Sequence, residues 1–500
     1  MPAVVGGGVA AAALAGYALV EMDRTMAFAV AALPVVAIGA VYLMTSGQIA
    51  LWAAAFVLPM SKFIGGDQLP GGLFYQDVIA LLAIGALIFA TFIAPGRVPA
   101  IPHTPVLGWP FVLFAAAIFT ATLRGHHSYG ANLVGQPVRL FLYAAIVAAL
   151  AGMTVPRMYR LLPWIFYPGV IFSVLLALFY LATGGSATDQ DQLSTGGTRL
   201  IGISRSIYAS GALFLALLHL RIASDTRSRM LHLGIAVIAM FCVVAGFGRA
   251  VYAGVAVVGL LLFATSRGMR NNVLSIVPLA LPFIVVLAVG VHQAAPDFVN
   301  SVNERMFTSP DTDANVQWRV EANRAVLEQV REDPLFGVGF GRGSEFYLEV
   351  ENPTTGFPVL QRFEIGQDPH NGYVYLLAGG GILALGTFAL LLGTFAFDVV
   401  RRYRSNSDPR ARLILLWASA TLFVFLLNAA SGTALGRADI LLTIWALLVL
   451  PAVVTAEPEG SHVQEMRRAE RRISNQSAPL RPISHHAMET WSHSPTRHSR

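Results

Sequence analysis

The chain has 500 residues, 55% of them hydrophobic and only 12% charged, with a mean hydropathy of +0.62. Globular proteins carry about 25% charged residues, so this composition excludes a soluble enzyme, a disordered chain and a coiled coil. The formal charge of +6 would suit nucleic acid in a soluble protein, but basic residues between apolar runs encode membrane orientation first. A single cysteine, Cys242, excludes a disulfide within the chain.

Apolar runs fall near 3–20, 26–44, 47–64, 73–94, 105–123, 133–151, 158–183, 206–223, 230–247, 250–266, 272–292, 371–398, 411–430 and 436–455. Each approaches the ~20 residues that a spanning helix needs. Backbone groups in lipid have to pair within their own segment, so the runs predict helices. The fold class is an all-α polytopic membrane protein with about 12–14 transmembrane helices. Arg97, the Arg157/Arg160 pair, the Arg221–Arg229 break, the Arg267/Arg270 break and the Arg401–Arg412 break fall on one side if the N-terminus is cytoplasmic. The arginine-rich tail joins them, and the positive-inside rule then predicts N-in and C-in. Four regions follow: an N-terminal bundle (1–292), one large extracytoplasmic loop (293–370), C-terminal helices (371–456) and a disordered basic cytoplasmic tail (457–500). Within the loop, 317–331 carries Val320, Val326, Leu327 and Val330 among charges and predicts an amphipathic helix. Asp333-Pro334 ends it, and the Gly-Val-Gly-Phe-Gly stretch at 337–341 follows as a flexible turn.

That topology places several arginines on the outer face, where orientation does not require them. Arg249 is pinned between two apolar runs, Arg205 precedes a span, Arg319, Arg324 and Arg331 line the amphipathic segment, and Arg437 sits in the last outer turn. A guanidinium is permanently charged and its forked donors match phosphate oxygens, which suits a lipid-linked pyrophosphate at the membrane boundary. Snorkelling to headgroups or pairing with carboxylates is the other reading of each arginine. His370, in Asp-Pro-His-Asn-Gly-Tyr where the loop re-enters the membrane, titrates near neutrality and suits proton transfer from a hydroxyl; it suits a helix cap equally. No spacing of His or Cys predicts a metal site, and no cofactor is expected. The 337–343 run lacks the Lys-Ser/Thr of a phosphate-binding loop, while its backbone amides, around Gly339, suit an anion.

Together these residues resemble the O-antigen ligase and polymerase superfamily of polytopic bacterial membrane glycosyltransferases. The resemblance rests on Trp318-Arg319, on 333–341, and on His370-Asn371 followed after nine residues by Gly381-Ile382-Leu383-Ala384, with Ala384 in place of a final glycine. Gly248-Arg249 is similar to the family's Ser-Arg before a span. The resemblance implies transfer from an undecaprenyl-pyrophosphate-linked glycan at the outer face of the inner membrane, metal-independent and inverting, as polymerase or ligase of a surface polysaccharide. It further implies that Arg249 and Arg319 hold the diphosphate and that His370 assists the acceptor hydroxyl. Arg205, Arg324, Asn371 and Gly339 are substrate-binding candidates beside them. Partners are the lipid-linked donor, a glycan, lipid or protein acceptor, membrane lipids and chain-length or export proteins, without nucleic acid. The alternative is an inorganic-carbon-type solute transporter of the same superfamily.

Overall fold

The computed structural model describes residues 105–130, 153–183, 201–223, 225–246, 248–265, 270–271, 314–351, 358–365, 369–432, 435 and 438–454. The expected spans at 3–20, 26–44, 47–64, 73–94, 133–151 and 272–292, the tail at 457–500 and Arg437 lie outside them.

The other eight expected spans are helices: α1 (Trp109–Tyr129), α2 (Val155–Thr183), α3 (Ile203–Ile222), α4 (Thr226–Ala245), α5 (Arg249–Thr265), α7 (Gly372–Ser405), α8 (Pro409–Ala429) and α9 (Ala438–Val449). The amphipathic segment is α6 (Ala314–Val330). Among the described residues, four helices are long and apolar enough to cross a membrane: α4, α7, α8 and the Val155–Leu175 part of α2. Their starts are set by local chemistry. Asp225 caps α4 by accepting from the Ser228 amide at 2.8 Å, and Asp408 caps α8 by accepting from the Arg410 amide at 2.9 Å.

Helices α3 and α8 form the centre. The fully buried rings include Tyr208, Phe214, Trp417 and Phe425 from these two helices, with Phe166 and Trp445 from neighbours. Trp417 donates to the Gly211 carbonyl at 2.8 Å, so its one polar atom is satisfied inside the apolar core. Tyr208 and Thr443 share a hydroxyl–hydroxyl bond that ties α9 to the centre. Outer helices expose large apolar side chains instead, Trp164 at 80%, Phe397 at 69% and Leu260 at 68%. A surface of that kind is stable against lipid tails and not against water. At one end, Arg402 pairs with Asp398 at 2.8 Å and donates to the Val454 carbonyl at 2.5 Å, so the buried charge is fully partnered.

The loop region departs from the all-α expectation. Ser344–Glu351 (β1) and Pro358–Ile365 (β2) form an antiparallel hairpin in which Phe346 opposes Phe363 and Val350 opposes Val359. Alternation of Phe346, Leu348 and Val350 with Glu345, Glu349 and Glu351 drives it, a period of two that a helix cannot use. The inner face of the hairpin covers α6: Trp318 meets Phe346 edge-on at 5.5 Å, and Ala322, Val326 and Val330 are buried between β1 and α7. Val320 and Leu327, expected on the apolar face, are exposed at 56% and 40%. Hairpin and α7 together cover one side of α6 only, and these two residues lie on the other.

Helix α7 is broken near its start. Gly381 takes φ 66°, ψ −164°, a conformation open to glycine alone, and divides α7 into a short first part and a long second part. The expected flexible turn at 337–341 is instead a backbone plug in this break. Val338 and Gly339 donate to the Ala378 and Gly379 carbonyls at 2.8 and 3.0 Å, while Ile382 and Leu383 donate to the Pro334 and Leu335 carbonyls at 2.9 and 3.2 Å. The groups freed by the break are thereby re-paired, as irregular backbone at membrane depth requires. Phe340 wedges on towards α1, donating its amide to the Ala121 carbonyl at 3.1 Å and stacking on Tyr375 at 4.9 Å. Arg124 of α1 holds Asp333 at 2.5 Å, and Tyr129 donates to the Val338 carbonyl at 3.1 Å.

Candidate functional site

The first turn of α7 is built to present one residue. Asn371 is its N-cap, its side-chain oxygen accepting from the Tyr373 and Val374 amides at 3.1 and 3.2 Å. His370 stands immediately before the cap in the left-handed region, φ 55°, the one non-glycine with positive φ among the described residues. That conformation costs about 1–3 kcal/mol and persists where the surroundings enforce it. The cap is therefore Asn371, and His370 is turned across it towards α6.

There the imidazole meets the Trp318 ring at 5.2 Å between centroids and lies within electrostatic reach of Arg319. His370 is open at the surface, yet its ring is desolvated on the protein side. Burial first and the Arg319 charge second push its pKa below the usual histidine value. A histidine in that state is unprotonated at neutral pH and available to take a proton.

Beside this pair runs a groove of about 490 Å³ between the uncovered side of α6 and the start of α7, with Arg324 and Asn371 among its lining residues. Arg324 is weakly paired with Glu328, at 4.0 Å. Four of the expected site residues, Arg319, Arg324, His370 and Asn371, thus share one corner.

Arg249 and Arg205 share a second corner. Arg249 opens α5 and Arg205 lies in the first turn of α3. The turn between α4 and α5 rests on that start of α3: a Cβ on Gly246 would stand 2.3 Å from Ser206 Cβ, and one on Gly248 3.3 Å from an Ile203 side-chain carbon. Both corners lie at the same end of the bundle. Gly254 of α5 packs on Val424, and the Tyr373 hydroxyl donates to the Leu426 carbonyl at 2.8 Å, both in the last turns of α8.

Gly339 is placed differently. It is buried in the plug with φ 93°, and its amide is engaged by Gly379. Its part is to let the loop backbone close on Gly125 of α1, where a Cβ would meet the Gly125 nitrogen at 2.7 Å. Among the described residues there is no cluster of three His, Cys, Asp or Glu that could hold a metal ion. Trp318, Asn323 and Glu328 belong to the corner without having been singled out for chemistry, and Arg331, one of the expected outer-face arginines, joins them. Trp318 adjoins Arg319 in sequence, but nothing in the spacing marks Asn323.

A helical bundle with apolar outer faces, four of its described helices long and apolar enough to cross a membrane, is the architecture of a polytopic membrane protein. Residues 212–389 match the family model described as O-Antigen ligase. That match, over about a third of the chain, supports the O-antigen ligase and polymerase superfamily for this segment. The matched segment contains Arg249, Arg319, Arg324, Gly339, His370 and Asn371, and Arg205 precedes it. No curated protein matches the chain.

Proposed function

We propose that this protein transfers a glycan from an undecaprenyl-pyrophosphate carrier to an acceptor hydroxyl at the outer face of the inner membrane, as a polymerase or ligase of a surface polysaccharide. The observation that carries the reading is His370, set against Trp318 at 5.2 Å and within electrostatic reach of Arg319, at the edge of an open groove. In the reaction, the acceptor oxygen attacks the anomeric carbon from the face opposite the diphosphate. The new glycosidic C–O bond forms as the C–O bond to phosphate breaks, and the electron pair leaves with undecaprenyl pyrophosphate. The hydroxyl proton passes to a ring nitrogen of His370 and then to solvent. Configuration inverts in this single displacement.

Arg319 and Arg249 neutralise the charge that develops on the departing diphosphate, a part that fixed guanidinium groups perform without a divalent cation. Arg205 supports Arg249 at its corner, Arg324 and Asn371 line the approach, and Gly339 shapes the loop that seats α7. Arg319 thereby has two effects. It stabilises the leaving group and it holds His370 in its basic form.

The test is His370→Ala in a deletion strain complemented with the gene, with the surface polysaccharide resolved on a gel. Loss of long glycan is expected. Short, single-repeat material indicates a lost polymerase, and accumulated lipid-linked polymer a lost ligase. Unchanged glycan length and attachment would remove His370 from the reaction. The transporter reading has one feature in its favour, since transporters place their sites at broken helices and α7 is broken at Gly381. A deletion strain with normal glycans and impaired bicarbonate uptake would favour it.

A further inference from the structure

We propose that the groove between α6 and α7 is the seat of the acceptor, a polyhydroxylated glycan end, and that Asn323, Glu328 and Arg331 determine its specificity. The inference rests on the glycosyl-transfer reading and assigns a distinct place to one of the two substrates.

Position is the first argument. A hydroxyl that gives its proton to His370 has to arrive beside it. Asn371, the next residue in the chain, is part of the groove wall. At about 490 Å³, the space falls within the ~300–1,000 Å³ of small-molecule sites.

The second argument is the chemistry of the wall. Its polar members are Asn323, Arg324, Glu328, Arg331 and Asn371, which supply both donors and acceptors. Sugar hydroxyls need both. A diphosphate uses donors alone, and the Glu328 carboxylate beside Arg324 adds an acceptor that only a hydroxyl-bearing ligand can use. Val320 and Leu327, left exposed by the hairpin, offer apolar surface against which the C–H faces of a sugar ring can pack.

Asn323 adds an independent sign. Its amide nitrogen donates to the Arg319 carbonyl at 2.7 Å, while its Oδ1 is shut off from water without a hydrogen-bond partner. A buried acceptor of this kind is rare in folded proteins, and it gains a partner once the Asn323 side chain turns into the groove to meet a ligand hydroxyl. Its bond to the Arg319 carbonyl also links acceptor recognition to the turn that carries Arg319.

The test uses full-length protein in nanodiscs. The donor is lipid-linked oligosaccharide extracted from the deletion strain, and the acceptor probe is the free oligosaccharide released from it by mild acid. Glu328→Gln and Arg331→Gln alter exposed side chains, so folding is preserved. Each is expected to raise the half-saturating concentration of the oligosaccharide about tenfold, the loss of one charge-assisted hydrogen bond, and to leave that of the donor within twofold. Saturation-transfer NMR of the oligosaccharide should weaken in parallel. A rise for the donor alone overturns the assignment and makes the groove a donor seat, and no change in either overturns it as well. If His370→Ala and Arg319→Ala retain turnover while the NMR contact still depends on Arg331, the catalytic reading has failed and the glycan groove stands.

Discussion

Replacing Gly381 by alanine strikes the point on which the site hangs. At φ 66° and ψ −164° a residue with a side chain is strained by about 1–3 kcal/mol. The added Cβ would also stand 2.3 Å from the Leu335 carbonyl oxygen and 2.6 Å from the Gly337 nitrogen. Both are backbone atoms, so the plug has to withdraw. Four hydrogen bonds cross the break. Losing two of them costs about 1–3 kcal/mol at ~0.5–1.5 each, for a combined destabilisation of roughly 2–6 kcal/mol. The first part of α7 would lose its seat, and His370 its aim. Gly386→Ala is the control: it lies in the same helix with open space around its Cβ position, and alanine there is favourable by up to ~1 kcal/mol. Thermal unfolding in detergent, followed by fluorescence-detected size exclusion, reads stability; complementation of surface glycan reads function. Gly381→Ala is expected to unfold well below the parent and fail to complement, with Gly386→Ala equal to the parent or better. A Gly381→Ala protein with parental stability and glycan would refute the plugged-break account.

Arg319→Gln is expected to lower turnover about 10²- to 10³-fold and to move the acid limb of kcat/KM upward. The parent limb is expected below the ordinary histidine value because burial and Arg319 both disfavour the imidazolium, so activity should persist to lower pH than an unperturbed histidine allows. Removing the charge removes part of that protection, and a limb that stays in place would dissociate the two residues. Gly380→Ala is expected to cost about 1–3 kcal/mol by overpacking, since its Cβ would meet the Ala384 Cβ at 2.4 Å. The double variant Gly380→Ala/Ala384→Gly should recover most of this in a thermal melt. Phe340→Ala empties a wedge that is 2% exposed, and a loss of about 3–5 kcal/mol is expected from the size of the deletion, measured by the same melt.

The pairing of Gly380 with Ala384 accounts for the departure at the end of the His-Asn motif. The methyl of Ala384 is fully buried, and it fits because the residue one turn earlier has none. A motif that reads positions singly registers a missing glycine, whereas the helix requires only that one member of the pair be small.

The hairpin was legible and was passed over: Phe346, Leu348 and Val350 alternate with glutamates, but the surrounding length of apolar helix dominates the reading. The plug was not legible. Gly337, Gly339 and Gly341 announce a turn, and a glycine-rich turn in solvent has the same sequence as one inserted into a broken helix. Val320 and Leu327 carried the amphipathic pattern and still face outward, because periodicity identifies a helix without saying which of its sides will be covered.

Composition and hydropathy alone determined that this is a membrane helix bundle, since transfer of side chains from water to lipid is a property of each residue summed along the run. The resemblance to the O-antigen ligase and polymerase superfamily was legible for the same reason, since Trp318-Arg319, the 333–341 stretch and His370-Asn371 are each short local motifs. Only the tertiary structure decided that His370 meets Trp318 within electrostatic reach of Arg319, that Arg249 and Arg205 lie at a separate corner, and that the amide of Gly339 is engaged by Gly379. These are relations between segments far apart in sequence, set by which backbones close on one another, and no local energy encodes them.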